Sequence, residues 1–396
     1  MKRIALLLVI SLALAPSAQA AQKKVAVKKV TTLISVPGAE MLAVSGSSII
    51  TIATIDSQTT DIALTAVDGA GVLLWQKIID SGADEVAMAT AVDGAANVWL
   101  AGFSSQLKSA SEETVTAVAE NPDAITPEAP QGLRGDLNAL TVWKISPLGE
   151  LLATYMYQYE LPGLINSISV NKTGLSIAGV LSERTFLQNM SAAGEFSQQV
   201  SIGTSKTTIN AVVRNSDGGS SLFGSSTETL GGKKLAGIRD GVLVKVSNSG
   251  AVSSVVRSSA IKGDRSWLSA DSSLLLSGYV KVGKSTETAI TKFTTKFVPT
   301  WTIRFASTGQ SRAITAAGAS YAAIVSKSAI ASITGWKPSK PQLLVIAFDS
   351  KGVMTSAFGS AELGEPIALA YSKELGLVGL AQSADQAPAV FRIGAR

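Results

Sequence analysis

DEVAMATAVDGAANVWLAGFSS, residues 84 to 105, reads as an apolar run, a tight turn at Asp93-Gly94 and a second apolar run that ends near Gly102. Whether this hairpin stands alone or is one copy of many decides the architecture, so internal self-similarity is the first thing to establish. A turn made of Asp or Ser, two free positions and Gly recurs as VDGAGVLLW (67 to 75), ISPLGELLA (145 to 153), MSAAGEFSQ (190 to 198), VSNSGAVSS (246 to 254) and FDSKGVMTS (348 to 356). Asp or Ser opens such a turn by accepting hydrogen bonds from its own backbone, and Gly takes the left-handed position that closes it. FTTKFVPTW (293 to 301) keeps the flanking strands but has Phe297 where the glycine belongs, which predicts a differently built turn.

The strands before these turns repeat as well. NVWLAGFSS, GLSIAGVLS, GSSLFGSST, LLLSGYVKV and LGLVGLAQS each carry a glycine late in an apolar strand, the mark of a close backbone approach or a sharp bend. SIITIATIDS (48 to 57) and SYAAIVSKS (320 to 328) occupy the same place without it, Thr54 standing at the glycine position of the first. A short apolar strand precedes each, so every unit is a four-stranded meander, labelled a to d. The first two units start about 45 residues apart, the period of a propeller blade. The last unit stops one strand short, and VTTLISVPG (30 to 38) supplies a matching strand at the other end. The expected fold is all-β: a seven-bladed β-propeller over residues 30 to 396, with four-stranded antiparallel blades and the last blade closed by the N-terminal strand, which removes two free edges.

Asp84, Ala87, Ala89, Asp93, Asn97, Val98, Ala101 and Gly102, followed by third strands such as TDIALTAVDGAG (60 to 71), resemble the bacterial β-propeller repeats of the SBBP type. The resemblance implies a propeller fold in an exported protein; it carries over no catalytic residue. The start of the chain agrees with export. Lys2 and Arg3, an apolar core from Ile4 to Ala15 and Ala18-Gln19-Ala20 read as a signal peptide over residues 1 to 20, cleaved after Ala20. That places the protein outside the cytoplasm, secreted or in the periplasm or cell envelope, with no transmembrane anchor, since nothing later approaches the roughly 20 apolar residues of a span. Residues 21 to 29, with Lys23, Lys24, Lys28 and Lys29, read as a basic flexible segment.

With 34 basic and 29 acidic residues in all and no basic stripe interleaved with aromatics, nucleic acid is not an expected partner. The chain has no Cys and no His. Disulfides, imidazole proton relays, His-dependent triads and most zinc and copper sites are therefore excluded. GYVKVGKS (278 to 285) satisfies the phosphate-loop formula, but the following TETAITKFTT is β-branched and aligns with a third strand, so the match is coincidental. Tyr155, Tyr157 and Tyr159 share one face of a fourth strand and read as filling between blades three and four. Trp75, Trp99, Trp143, Trp267 and Trp301 lie inside repeat strands and read as core.

Binding candidates come from two places. Glu40, Asp84, Glu85, Asp264 and Glu365 sit at or just before the starts of first strands and are expected near one mouth of the channel; cation binding and simple solvation are the two readings of such a set. Long connections follow the second strands: an insertion at 106 to 135, then 226 to 241 and 327 to 342. In propeller geometry these share a face with the d-to-a connections, and elaborated loops on a rigid scaffold are where binding tends to reside. Trp336, Lys337 and Arg134 are the expected anchors on that face. The sequence reading is thus a monomeric, non-enzymatic exported scaffold without a cofactor that binds an extracellular protein or glycan. The alternative is an extracellular hydrolase or lyase acting on carbohydrate or polyanion at the channel mouth.

Overall fold

In a computed structural model the described residues are 24 to 105 and 134 to 394, and among them every regular element is a β-strand. The expected leader at 1 to 20 and the insertion at 106 to 135, save Arg134 and Gly135, lie outside the described residues.

The strands form a β-propeller whose five four-stranded sheets are meander blades. The first blade is Ala39–Ser45, Ser48–Asp56, Thr60–Val67 and Leu73–Ile79; the second is Glu85–Val92, Val98–Ser104, Ala139–Ile145 and Leu151–Gln158. Gly163–Asn171 through Val200–Thr204 make the third, and Thr207–Arg214 through Val252–Ser258 the fourth. The closing blade joins Leu363–Ser372, Gly376–Ser383 and Pro388–Ile393 to Thr31–Ser35 from the N-terminal side. First strands of neighbouring blades lie side by side, and Leu363–Ser372 lies against Ala39–Ser45, which closes the ring.

The expected count of seven four-stranded blades is corrected: among the described residues there are five, and the strands read as units five and six run together in one nine-stranded sheet. The physical cause is the 18-residue strand Pro299–Ala316. Its first half pairs with Ser285–Phe293 and its second half with Ala319–Ser326, and the change of partner occurs at a register shift between Ser307 and Ser311. Gly309, which looks like a strand terminator, sits inside this strand with a φ of 105° and lets the backbone bend without breaking the ladder.

A second correction concerns the basic segment. Val25–Lys29 is a strand, parallel to Met354–Gly359 on one side and to Ile333–Thr334 on the other. Val30 then turns the chain into the closing strand, buried among Leu343, Val345, Leu363 and Phe391. The N-terminal arm thus covers the outer edges of two neighbouring sheets in succession.

The repeat turns explain themselves. In VDGAG, Asp68 Oδ1 accepts from the amides of Ala70 and Val72, at 2.8 and 2.9 Å, and Gly71 takes a φ of 85°. FTTKFVPTW, expected to differ, makes the same turn. Thr294 replaces the Asp, and Phe297 itself adopts a φ of 58° with its amide 2.9 Å from the Thr294 carbonyl. Left-handed backbone is strained for such a residue, and burial of the ring against Phe223, with centroids 5.7 Å apart, offsets it.

Four of the five late-strand glycines share one cause, while the fifth, Gly379, makes room for the Phe391 ring. Each first strand carries a bulge, and Gly102, Gly179, Gly224 and Gly278 pair with the residue just before it: Ala87, Ile165, Ile209 and Trp267. The bulge pushes the preceding carbonyl toward the second strand, so a Cβ on Gly102 or Gly224 would lie 1.8 Å from the oxygen of Val86 or Thr208. In the first blade the equivalent position is Ala53, one residue before the expected Thr54.

Candidate functional site

Blades pack face to face, which leaves grooves on the outer rim where fourth strands diverge. The one between the first and second blades encloses about 530 Å³. Its walls are mainly apolar, with Ile78 and Ile79 from the first blade and Trp143, Ile145, Leu151 and Met156 from the second, beside Lys77, Glu150 and Thr154. Its far end is polar, formed by Asp80, Ser81, Glu85, Ser104, Ser105 and Thr141 on the face that carries the b-to-c and d-to-a connections.

Around this groove the outer strands are unusually apolar. Ile78 is 61% exposed and Met156 55%, and Leu73, Leu74, Leu151 and Leu152 are exposed beside them. A fourth strand has one solvated side, where polar residues normally alternate. Two adjacent blades thus expose Leu, Ile and Met on the fourth strands that flank the groove, and exposed apolar side chains gathered in this way mark an interaction site.

At the polar end, carboxylate oxygens of Asp61, Asp80 and Glu85 lie within 4.8 Å of one another. Asp61 starts the third strand of the first blade, Asp80 follows its fourth strand, and Glu85 opens the second blade. Asp61 accepts from the hydroxyls of Ser57 and Thr59, both at 2.8 Å, and Asp80 Oδ1 from the Gly82 amide at 2.7 Å. Glu85 Oε1 accepts from the amide and hydroxyl of Ser81, while buried Oε2 has no hydrogen-bond partner. Burial raises the Glu85 carboxyl above the usual carboxylate range, Ser81 opposes this, and the charges of Asp61 and Asp80 push it further up.

The five acids expected at the mouth do not converge as a set. Glu85 joins two residues that sequence reasoning did not single out, Asp61 and Asp80. Asp84, one residue away, instead takes the Thr60 amide at 2.7 Å and the Arg134 guanidinium at 2.7 Å. Glu40 is exposed and accepts from the Thr54 hydroxyl at 3.0 Å. Asp264 faces Arg239 at 3.6 Å and the Tyr279 hydroxyl at 3.3 Å. Glu365 is exposed.

Of the expected anchors, Trp336 is corrected to a core residue. It is 7% exposed, its indole Nε1 donates to Ser326 Oγ at 3.0 Å, and its ring occupies the space left by the missing side chain of Gly359. Lys337 beside it is exposed. Arg134 is half-exposed but committed to Asp84 and Asp136, and its guanidinium is held charged by both. Trp336 thus secures its long loop to the scaffold. Buried Asp240 does the same for residues 236 to 239, accepting from the Ala236 and Gly237 amides and pairing with Arg257 at 3.1 Å.

The remaining expectations meet the structure more simply. Gly278–Ser285 spans a strand, a turn at Gly283 and the start of the next strand; with no helix after it, the loop has no amide cradle for a phosphate. Tyr155, Tyr157 and Tyr159 do fill an inter-blade gap, between the second and third blades, where Tyr155 stacks on Trp99 with centroids 6.2 Å apart and Tyr157 meets Phe196. Trp99, Trp143 and Trp267 are core, and Trp75 and Trp301 are partly buried over Gly149 and Gly352.

No family model and no curated protein matches the chain. Among solved structures it is similar to the β-propeller domain of Cps50 (Swd1) from Myceliophteria thermophila, at 10% identity and a TM-score of 0.50, covering 91% of this chain and 98% of that one. The β-propeller domain of the Trilobed protease from Pyrococcus furiosus aligns at 8% identity and a TM-score of 0.47 over 94% of this chain and 96% of that one. BBS1N, from its complex with ARL6DN, aligns at 9% identity and a TM-score of 0.49 over 94% and 97%. At such identities the likeness is one of fold.

Proposed function

We propose that the chain is an exported, non-enzymatic propeller scaffold, of the SBBP-like kind its repeats resemble, that docks a protein partner at the rim groove between its first two blades. The observation that carries this reading is the paired set of exposed Leu, Ile and Met side chains on Leu73–Ile79 and Leu151–Gln158, flanking a groove with apolar walls. An apolar slot with a polar end at the loop face suits a protein segment that buries an aliphatic or aromatic side chain and hydrogen-bonds at its tip. A glycan would call for exposed aromatic platforms, whereas Trp336, Trp99 and Trp143 are engaged in packing. Export is supported by the leader-like residues 1 to 20.

The test is capture of partners from the envelope and secreted fraction with the native chain and with two surface variants, Ile78→Asp and Met156→Asp. Both side chains are more than half exposed, so the variants are expected to melt like the parent, within about 0.5 kcal/mol. Each is expected to lose capture at least about tenfold, because a carboxylate would be desolvated in an apolar slot. Undiminished capture by both variants contradicts the assignment of the groove.

A further inference from the structure

We infer that Asp61, Asp80 and Glu85 form a binding site for a divalent cation of the Ca²⁺ class that ties the first blade to the second. Three carboxylate oxygens within 4.8 Å of one another can all reach a single ion at the 2.3–2.6 Å typical of calcium–oxygen bonds. Asp61 and Glu85 are each only 2% exposed, so two acids are packed together away from water. Among the described residues no lysine or arginine forms an ion pair with any of the three; Lys77, which lines the same groove, makes none. Burying like charges this way is unfavourable unless a counter-charge enters.

The independent indication is Glu85 Oε2. Ser81 holds the other oxygen of this carboxylate, and the serine and threonine hydroxyls nearby hold Asp61, but Oε2 is buried, has no donor and belongs to a side chain that lines the groove beside Asp80. A buried oxygen left without a partner costs free energy that a metal ion would recover. The three donors are all hard carboxylate oxygens, with no imidazole or thiolate in the chain to join them, and such a donor set suits the alkaline-earth class better than zinc, copper or iron. Within that class, ligands drawn from three separate segments, one of them exposed, suit the loose six- to eight-fold shell of Ca²⁺ better than the strict octahedron of Mg²⁺. Such an ion would bridge the start of the third strand and the end of the fourth strand of one blade to the first strand of the next, acting as a staple across the blade seam. The inference holds whether or not a partner occupies the groove, since it concerns the protein alone.

The experiment uses the purified chain after chelator treatment, titrated with Tb³⁺ as a luminescent stand-in sensitised by Trp143 in the groove wall, and melted with and without CaCl₂ or MgCl₂. Expected are saturable Tb³⁺ emission displaced by Ca²⁺ and a melting temperature raised by Ca²⁺ more than by Mg²⁺. Asp80→Asn and Glu85→Gln are each expected to weaken Tb³⁺ binding at least about tenfold and to abolish the Ca²⁺-dependent rise. Asp80 is exposed, so its variant folds and reports on the ion directly. Two results would overturn the site: a melting temperature indifferent to Ca²⁺ in the parent, or Tb³⁺ affinity unchanged in both variants.

Discussion

A chain beginning at Gly38 is expected to lose its cooperative melting transition or to melt far below the parent, and to aggregate. Thr31, Thr32, Ile34 and Ser35 pair with Arg392, Phe391, Val390 and Ala389, and their removal leaves Pro388–Ile393, apolar but for Arg392, as the open edge of the closing blade. Val30 is buried, and Leu33 and Ile34 pack on the cluster of Leu42, Ile49, Val378 and Val390. At roughly 1.5–3 kcal/mol per buried aliphatic side chain the apolar loss alone is about 5 kcal/mol, comparable with the lower end of a domain's whole stability. An intermediate chain beginning at Val30 sharpens the result. If residues 24 to 29 were a solvated basic tail, their loss would cost almost nothing. Because Val25 and Val27 instead pack against the cluster that holds Ile333 and Trp336, this chain is expected to melt measurably below the parent and well above the shorter one. Thermal and urea denaturation of the three chains checks the order, and equal stabilities of the parent and the Gly38 chain would refute ring closure by the N-terminal strand.

The second large effect is expected from a single methyl group. Gly102→Ala and Gly224→Ala each place a Cβ 1.8 Å from a backbone carbonyl oxygen and 2.8 Å from the carbon of the same carbonyl. No rotamer can relieve a clash with main chain, so the bulge must move, and the first strand of that blade with it. Overpacking of this kind costs about 3 kcal/mol or more, and larger residues at the same place are expected to prevent folding. Gly94→Ala is the control: it is exposed, its φ is not left-handed and nothing lies within 4 Å of the added carbon, so its stability should stay within about 0.5 kcal/mol of the parent. Equal urea midpoints for Gly224→Ala and Gly94→Ala would show that the bulge yields freely.

These two effects also mark what the residues disclosed in advance. The late-strand glycines read from sequence as close approaches, and for Gly102, Gly179, Gly224 and Gly278 the bulge carbonyls opposite them are those approaches. The meander, the Asp/Ser-to-Gly turns and the pairing of Thr31–Ser35 with the last strand were equally legible, because each rests on local chemistry or on a strand visibly missing. The number of blades was not. Gly309 reads as the end of a fourth strand, in step with the repeat, yet it sits within a continuous strand; Phe297 departs from the repeat turn, yet burial of its ring compensates, and both outcomes depend on neighbours distant in sequence. Trp336 misled for the same reason: between glycine, lysine and proline it looks presented to solvent, and only the cavity over Gly359 reveals it as core. Asp61, Asp80 and the rim leucines carried no motif at all, since their proximity is created by blade packing.

Docking at the rim groove of the first two blades is tested most directly by hydrogen–deuterium exchange of the chain with and without its captured partner. Protection is expected in Leu73–Ile79, Leu151–Gln158 and the segment from Asp80 to Glu85, because those strands have solvated outer edges that a docked segment would cover. The contradicting result is unchanged exchange there together with protection elsewhere, for instance around the exposed Ile238 and Ile261 on the loops of the fourth blade.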